Sequence, residues 1–247
     1  MRRYIEPLLR RWAEFRGKQA ILVMLVLGLI FLAISLTVEM NQTDKIDLAA
    51  TNALQKIQHP VVYPIMLGFT ALGDTLTLIL IAAAVSGYLF FRKRPLAASL
   101  AIVTLFGLPL NMLLKEMVGR PRPGSDSVSV LAPTIGLSYP SGHAMASAML
   151  YGYLAMLCWM HIQARSTRIT CAIIFLITAV MVSVSRVYLG AHWLSDVVGG
   201  WTGGTFCLLL LAEIYKHWGK RELEMHKPTL VEFDLITFAP DAKGNTS

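Results

Sequence analysis

Residues 20–38 read AILVMLVLGLIFLAISLTV, nineteen positions without one charged side chain. A helix rises 1.5 Å per residue, and about 20 apolar residues cross the hydrocarbon layer of a bilayer. The run therefore predicts a membrane-spanning helix. Residues 1–18 ahead of it carry six basic and two acidic residues. A basic start before an apolar run also describes a secretory leader. Here the basic region is long, the run is nearly span length, and no small-x-small cleavage site follows. A retained first transmembrane helix is the better reading.

The rest of the chain agrees. Of its 247 residues 55% are hydrophobic and 15% charged, against roughly 25% charged in a soluble domain. That leaves too little polar surface to coat a water-soluble particle of this size, so lipid must solvate much of it. Cys158, Cys171 and Cys207 all lie in apolar runs. Their odd number and lack of CxxC spacing argue against a disulfide framework or a zinc site. They read as small buried residues.

Further spans are expected at 75–91, 96–114, 144–160, 169–185 and 197–215. The apolar piece 62–72, interrupted by Gly73-Asp74, either extends the second span or forms a separate half-helix. Ile46, Ala49, Ala50, Ala53, Leu54 and Ile57 recur at helical spacing and predict a short amphipathic helix at the interface. Residues 115–142 include Pro121, Pro123, Pro133 and Pro140 and read as a structured loop. The fold class is thus an all-α integral membrane protein, a six-transmembrane-helix bundle. It divides into a cytoplasmic basic arm (1–19), the transmembrane domain (20–217) and a cytoplasmic polar tail (218–247).

The formal charge of +7 fits either nucleic-acid binding or charge that orients spans. The arm, the 92–94 turn, the 161–168 linker and the tail, with Lys216 just before it, together hold sixteen of the 22 Lys and Arg. All lie on one side of a six-span bundle, so the charge sets topology and nucleic acid drops out as a partner. Basic flanks face the cytoplasm. Both termini are then cytoplasmic, and Lys45, Lys56, Lys115, Arg120, Arg122 and Arg186 belong to the outer face.

Three of these cations, Lys115, Arg122 and Arg186, stand at span ends or in the adjoining loop without a matching set of carboxylates. Such a group suits a phosphate, which Arg grips with several planar donors and Lys with a point charge. Ser141-Gly142-His143 sits where a loop enters a helix, a place where backbone amides bind anions. His192 and Asp196 are four apart and share a face if helical. A carboxylate on one imidazole nitrogen fixes the tautomer and frees the other. Each has a plainer reading as well. A cation at a span end snorkels to headgroups, Ser141 is a favoured helix cap, and Asp196 caps the last helix beside an interfacial His192.

Taken together, Lys115-x6-Arg122-Pro123, Pro140-Ser141-Gly142-His143 and Ser185-Arg186-x5-His192-x3-Asp196 resemble the three-part signature of the type 2 phosphatidic acid phosphatase (PAP2) superfamily. That superfamily includes membrane lipid phosphate phosphatases and is related to bacterial acid phosphatases and vanadium haloperoxidases. Residue type, spacing and order all agree. The spacing selects Arg122 from the two Arg-Pro pairs of Gly119-Arg120-Pro121-Arg122-Pro123. Arg120 is left to assist with phosphate or to sit at the headgroups.

The resemblance implies a catalytic set of His192, His143 and Asp196. His192 attacks phosphorus and forms a phosphohistidine. Asp196 orients it, and His143 protonates the leaving oxygen and then activates water. Lys115, Arg122, Ser141, Gly142 and Arg186 bind the phosphate oxygens. No metal and no cofactor are implied, because cations stand where a metal enzyme has carboxylates.

The expected substrate is a lipid phosphate or diphosphate entering from the bilayer. Undecaprenyl diphosphate at the periplasmic face of a bacterial inner membrane comes first. Phosphatidylglycerol phosphate, phosphatidate and lipid A phosphates stand as alternatives. The rival classes are a phosphotransferase on the same fold, a non-catalytic lipid transporter, which has no need of His143, His192 and Asp196 together, and, more remotely, a haloperoxidase.

Overall fold

The computed structural model describes residues 17–225 apart from Gln58 and Pro133, with side chains from Gln19 to Trp218. Most of the basic arm and of the polar tail, two expectations of the sequence, lies outside the described residues. The described part is all-helical. In order come α1 (Gly17–Glu39), α2 (Asp44–Gln55), α3 (Val62–Leu72), α4 (Thr75–Phe91), α5 (Pro95–Val118), α6 (Gly142–His161), α7 (Arg165–Tyr188) and α8 (Leu194–Met225).

Leu22, Leu25, Leu29 and Leu32 of α1 are each more than half exposed. Continuous apolar surface of this kind marks contact with a membrane or another protein, and its length and composition suit a membrane. α1, α5, α7 and α8 are long and apolar enough to cross a membrane. The pair α3 and α4, bent by 54° at Gly73-Asp74, adds a fifth candidate if counted as one span. The expected six are not reached by this measure, and α6 is the reason. It packs among α5, α7 and α8 and is buried along most of its length. A helix with protein on every side has no need of a lipid-compatible surface, so small and polar residues such as Ser147, Gly152 and Tyr153 replace the aliphatic run.

α8 reaches α6 through Gly199-Gly200-Trp201-Thr202-Gly203-Gly204. A Cβ on Gly200 would lie 2.6 Å from the Ser141 carbonyl oxygen and 3.0 Å from the Ala144 Cβ. One on Gly204 would meet the Met145 carbonyl at 2.5 Å. The two backbones touch because neither glycine has a side chain, the usual device for helix contact in lipid. Gly200→Val should lower the thermal midpoint in detergent by the equivalent of about 1–3 kcal/mol, the range for overpacking. Gly28→Ala should leave it unchanged, since the nearest atom, on Phe206, stands 4.0 Å away.

α5 contains a 3₁₀ turn at Thr104–Phe106. Pro109 follows it and has no N–H to return to the preceding turn, which accounts for the tightening. The last helix runs to Met225, well past the expected end near 215. The C-terminal ends of α5 and α7 meet the N-terminal ends of α6 and α8. The backbone N–H of Ser141 donates to the Asp196 carbonyl at 2.9 Å, which ties the start of α6 to the first turn of α8.

α2 forms at the expected place, and its polar side is the one turned to the protein. Asp47 and Thr51 are buried, while Ile46, Leu48 and Ile57 are exposed. Asp47, Thr51 and Gln55 make a polar stripe at i, i+4 and i+8 that faces the protein. Gln55 Nε2 donates to the carbonyls of Ser129 at 2.7 Å and Tyr188 at 3.0 Å. Of the apolar side, Ile46 and Ile57 are left exposed, while Leu54 packs against the cluster of Ala144, Val187 and Val197.

Candidate active site

His192 and Asp196 do not share a helical face, because α8 begins only at Leu194. His192 stands just before it, with its backbone N–H on the Arg186 carbonyl at 3.2 Å. Asp196, in the first turn, reaches back. Its Oδ2 accepts from the Trp193 N–H at 2.8 Å and faces His192 Nδ1 at 3.4 Å. The cap and the histidine partner are thus one carboxylate.

The imidazole tautomer follows from its neighbours. Arg122 Nη1 lies 3.1 Å from His192 Nε2, and a guanidinium can only donate. Nε2 is therefore the acceptor and Nδ1 carries the proton. That proton is shared between Asp196 Oδ2 and Ser138 Oγ, the latter at 3.3 Å. Ser138 in turn donates to Asp196 Oδ2 at 2.5 Å. His192 is 2% exposed. Burial, helped by the charges of Arg122 and Arg186 against the opposing pull of Asp196, lowers its pKa to about 3. The ring is neutral near pH 7, with its lone pair on Nε2.

Arg122 also donates to the carbonyls of Ala191 at 2.8 Å and Gly136 at 3.0 Å. Burial holds its pKa below the usual value, partly offset by Asp196. Lys115 donates to the carbonyls of Leu137 and Ser138. Arg186 donates from Nη1 to Thr70 Oγ1 at 2.5 Å. Arg122 lies within Coulombic range of both Lys115 and Arg186. Three cations repelling one another at one place call for an anion. Ser141 Oγ and Arg186 Nε belong to the buried side-chain atoms, Ser147 Oγ and atoms of His161 and Arg168 among them, that have no hydrogen-bond partner among the described residues. Ser141 does occupy the N-cap of α6, yet its hydroxyl makes no capping bond. Buried polar atoms are rarely left unpaired without a reason such as an absent ligand.

His143 lies in the first turn of α6, and its Nε2 is 2.9 Å from Asp74 Oδ1. The Gly73-Asp74 break between α3 and α4 thus supplies its partner. A Cβ on Gly73 would press to within 2.9 Å of the His143 ring, so the break also makes room for the imidazole. Gly142 is held closely too, since a Cβ there would meet Asn111 Oδ1 at 2.9 Å. Asn111 Nδ2 donates to the Pro140 carbonyl at 2.9 Å and steadies the turn into α6.

Arg120 departs from expectation: it is neither at the headgroups nor among the three cations. It is 8% exposed. Nη1 donates to Asp196 Oδ1 at 2.8 Å and Ser195 Oγ at 2.6 Å, and Nη2 to Asp47 Oδ2 at 2.7 Å. Burial opposes its charge, but Asp196 and Asp47 outweigh burial and hold its pKa above the usual value. Sequence reading also passed over Asp47, Asp74, Asn111, Ser138 and Ser195. For Asp47 the signal was present in the i, i+4, i+8 polar stripe, and for Asp74 in the break itself. Ser138, Asn111 and Ser195 left no comparable mark. Among the described residues no three His, Cys, Asp or Glu side chains gather as a metal-ligand set.

Residues 69–220 match the PAP2 superfamily. The chain is 33% identical over 189 residues to phosphatidylglycerophosphatase B of Bacillus subtilis, covering 75% of this chain and 91% of that one. It is 32% identical over 133 residues to an undecaprenyl-diphosphatase of Sulfolobus acidocaldarius, covering 51% and 58%. Its fold superposes on the crystal structure of the transmembrane PAP2-type phosphatidylglycerolphosphate phosphatase from Bacillus subtilis with a TM-score of 0.67 and 31% identity. That match covers 78% of this chain and 96% of that chain.

Proposed function

From the premise that the chain belongs to the PAP2 superfamily, we propose that it hydrolyses the phosphate of a membrane lipid through a phosphohistidine. The observation that carries this reading is the set around His192. A neutral imidazole, its Nδ1 proton directed at Asp196, offers the Nε2 lone pair beside Arg122.

In the first step His192 Nε2 forms a bond to phosphorus as the bond to the leaving oxygen breaks. His143 gives that oxygen its proton. The Asp74 carboxylate holds the Nε2–H of His143 and favours the doubly protonated ring, whose Nδ1 proton is the one transferred. Asp196 balances the positive charge that develops on His192. In the second step water attacks phosphorus, the P–N bond breaks, and His143 takes the proton. Lys115, Arg122 and Arg186, with Ser141 Oγ and the Gly142 amide, hold the equatorial oxygens. Arg122 exchanges its bond to Nε2 for one to phosphate and so uncovers the nucleophile. Three cations supply the charge that a metal supplies elsewhere, so the reading needs none.

Six crossings follow if α4 and α6 join the four apolar helices. The termini are then cytoplasmic and the site faces outward, in a bacterium toward the periplasm. Phosphatidylglycerol phosphate becomes the first substrate to test, because that similarity extends over nine tenths of the relative. Undecaprenyl diphosphate is the second, on the match to a diphosphatase. Purified protein assayed for phosphate release across phosphatidylglycerol phosphate, undecaprenyl diphosphate, phosphatidate and a lipid A phosphate should turn over at least one, with phosphatidylglycerol phosphate highest in kcat/KM. Transfer of phosphate to another lipid without release would replace the hydrolase by a phosphotransferase. Folded protein that turns over none would remove the reading.

A further inference from the structure

The interfacial helix α2 sends a carboxylate into the protein interior. Asp47 is 1% exposed. Its Oδ1 accepts the backbone N–H of Ser195 at 2.8 Å, and its Oδ2 accepts from Ser195 Oγ at 2.6 Å and Arg120 Nη2 at 2.7 Å. Arg120 carries the contact on to Asp196 Oδ1 at 2.8 Å, and Asp196 faces His192. The remaining neighbours of Arg120 are Thr43 Oγ1 at 3.2 Å, the exposed Asp44 Oδ1 at 3.4 Å and the Trp193 ring, 5.8 Å to its centroid.

Stability alone does not account for this cluster. Burying two carboxylates and a guanidinium costs desolvation energy that their attraction seldom exceeds. The charge count suggests a use. Arg120 alone would neutralise Asp196 and weaken its support for a positive imidazole. With Asp47 sharing the guanidinium, the cluster keeps one net negative charge beside His192, which matches the charge the ring acquires on attack. Asp47 also caps the first turn of α8, the turn that carries Asp196.

Resting on the hydrolase reading above, we propose that Asp47 is a positioning residue: through Arg120 it fixes Asp196 and its charge, and so makes α2 a working part of the active site.

The test compares kcat and KM for wild type, Asp47→Asn, Asp47→Glu, Arg120→Met and the double variant Asp47→Asn/Arg120→Met, with thermal midpoints alongside. Asn keeps an oxygen for the Ser195 N–H, but its NH₂ replaces the Oδ2 acceptor, so the charge and the bond from Arg120 Nη2 are lost together. Asp47→Asn should lose about 10- to 100-fold in kcat, the range for residues that orient catalytic ligands. Its KM should hold within about threefold, because it does not touch the phosphate-binding cations. Asp47→Glu should recover most of the kcat. The double variant should match Arg120→Met, because residues acting as one unit are not additive. Full kcat in Asp47→Asn, a loss confined to KM, or losses that multiply in the double variant would each overturn the proposal. If Asp47→Asn does not fold, Arg120→Lys carries the test, since it keeps the charge but a single ammonium lacks the guanidinium fork that bridges Asp47 and Asp196. A tenfold fall in kcat at unchanged KM supports the proposal, and full kcat overturns it. Wild-type turnover decides the hydrolase reading separately, because the proposal is read only from ratios to wild type.

Discussion

His192→Ala is expected to abolish phosphate release, lowering kcat by at least about 10⁴-fold, as when a covalent nucleophile is removed from a preorganised site. The variant keeps what binds substrate. Arg122 loses one of its three partners and retains the carbonyls of Gly136 and Ala191. Lys115 and Arg186 do not touch the ring by any hydrogen bond. A lipid phosphate should therefore still bind, within a few-fold of wild type, in a direct binding measurement. Chemical trapping gives a second readout. A phosphohistidine survives alkali and is lost in acid, so radiolabelled substrate quenched in alkaline detergent should leave label on wild type and none on the variant. Turnover within tenfold of wild type would falsify the covalent route through His192. Label on the variant would place the covalent phosphate elsewhere.

The sequence announced the helices and the polar set for one physical reason. In lipid, apolar runs must be long and charges must sit at their ends, so both stand out in the linear pattern. Where a helix meets protein and not lipid, that signal fails. α6, surrounded by α5, α7 and α8, looks less apolar than its neighbours although it is the most deeply buried. α2 shows the same effect reversed. Its apolar stripe was legible, but only the fold reveals that the polar stripe of Asp47, Thr51 and Gln55 is the one turned inward. The spacing from Lys115 separated Arg122 from Arg120 and gave no hint that Arg120 runs beneath Asp196. Ser138 was invisible for a different reason. It lies in an irregular loop, and its place between His192 and Asp196 depends on that loop folding back, with the Ser138 N–H on the Arg120 carbonyl at 2.8 Å.

Asp196→Asn should cost about 10³- to 10⁴-fold in kcat with little change in KM, the scale of loss when the carboxylate of a histidine–carboxylate pair becomes an amide. Asp196 accepts from Arg120 Nη1 on Oδ1, and from Ser138 Oγ and the Trp193 N–H on Oδ2, with His192 Nδ1 alongside. A carboxylate satisfies all of these because it donates nothing. An amide cannot. With its NH₂ toward Oδ1 it opposes the Arg120 N–H. With its NH₂ toward Oδ2 it opposes Ser138 and Trp193. The Nδ1–H of His192 faces the same NH₂, and the ring avoids that clash only by moving its proton to Nε2. There the proton faces Arg122 Nη1 at 3.1 Å and consumes the lone pair that attacks phosphorus. The amide also removes the negative charge that balances the phosphohistidine. Asp44→Asn is the matching control, since its side chain is 62% exposed and stands 3.4 Å from Arg120. Exposed pairs contribute little, so its kcat should stay within about twofold of wild type. Steady-state kinetics on both variants separates the two carboxylates on the same guanidinium. Equal losses would mean that Arg120, and not the tautomer of His192, is what Asp196 serves.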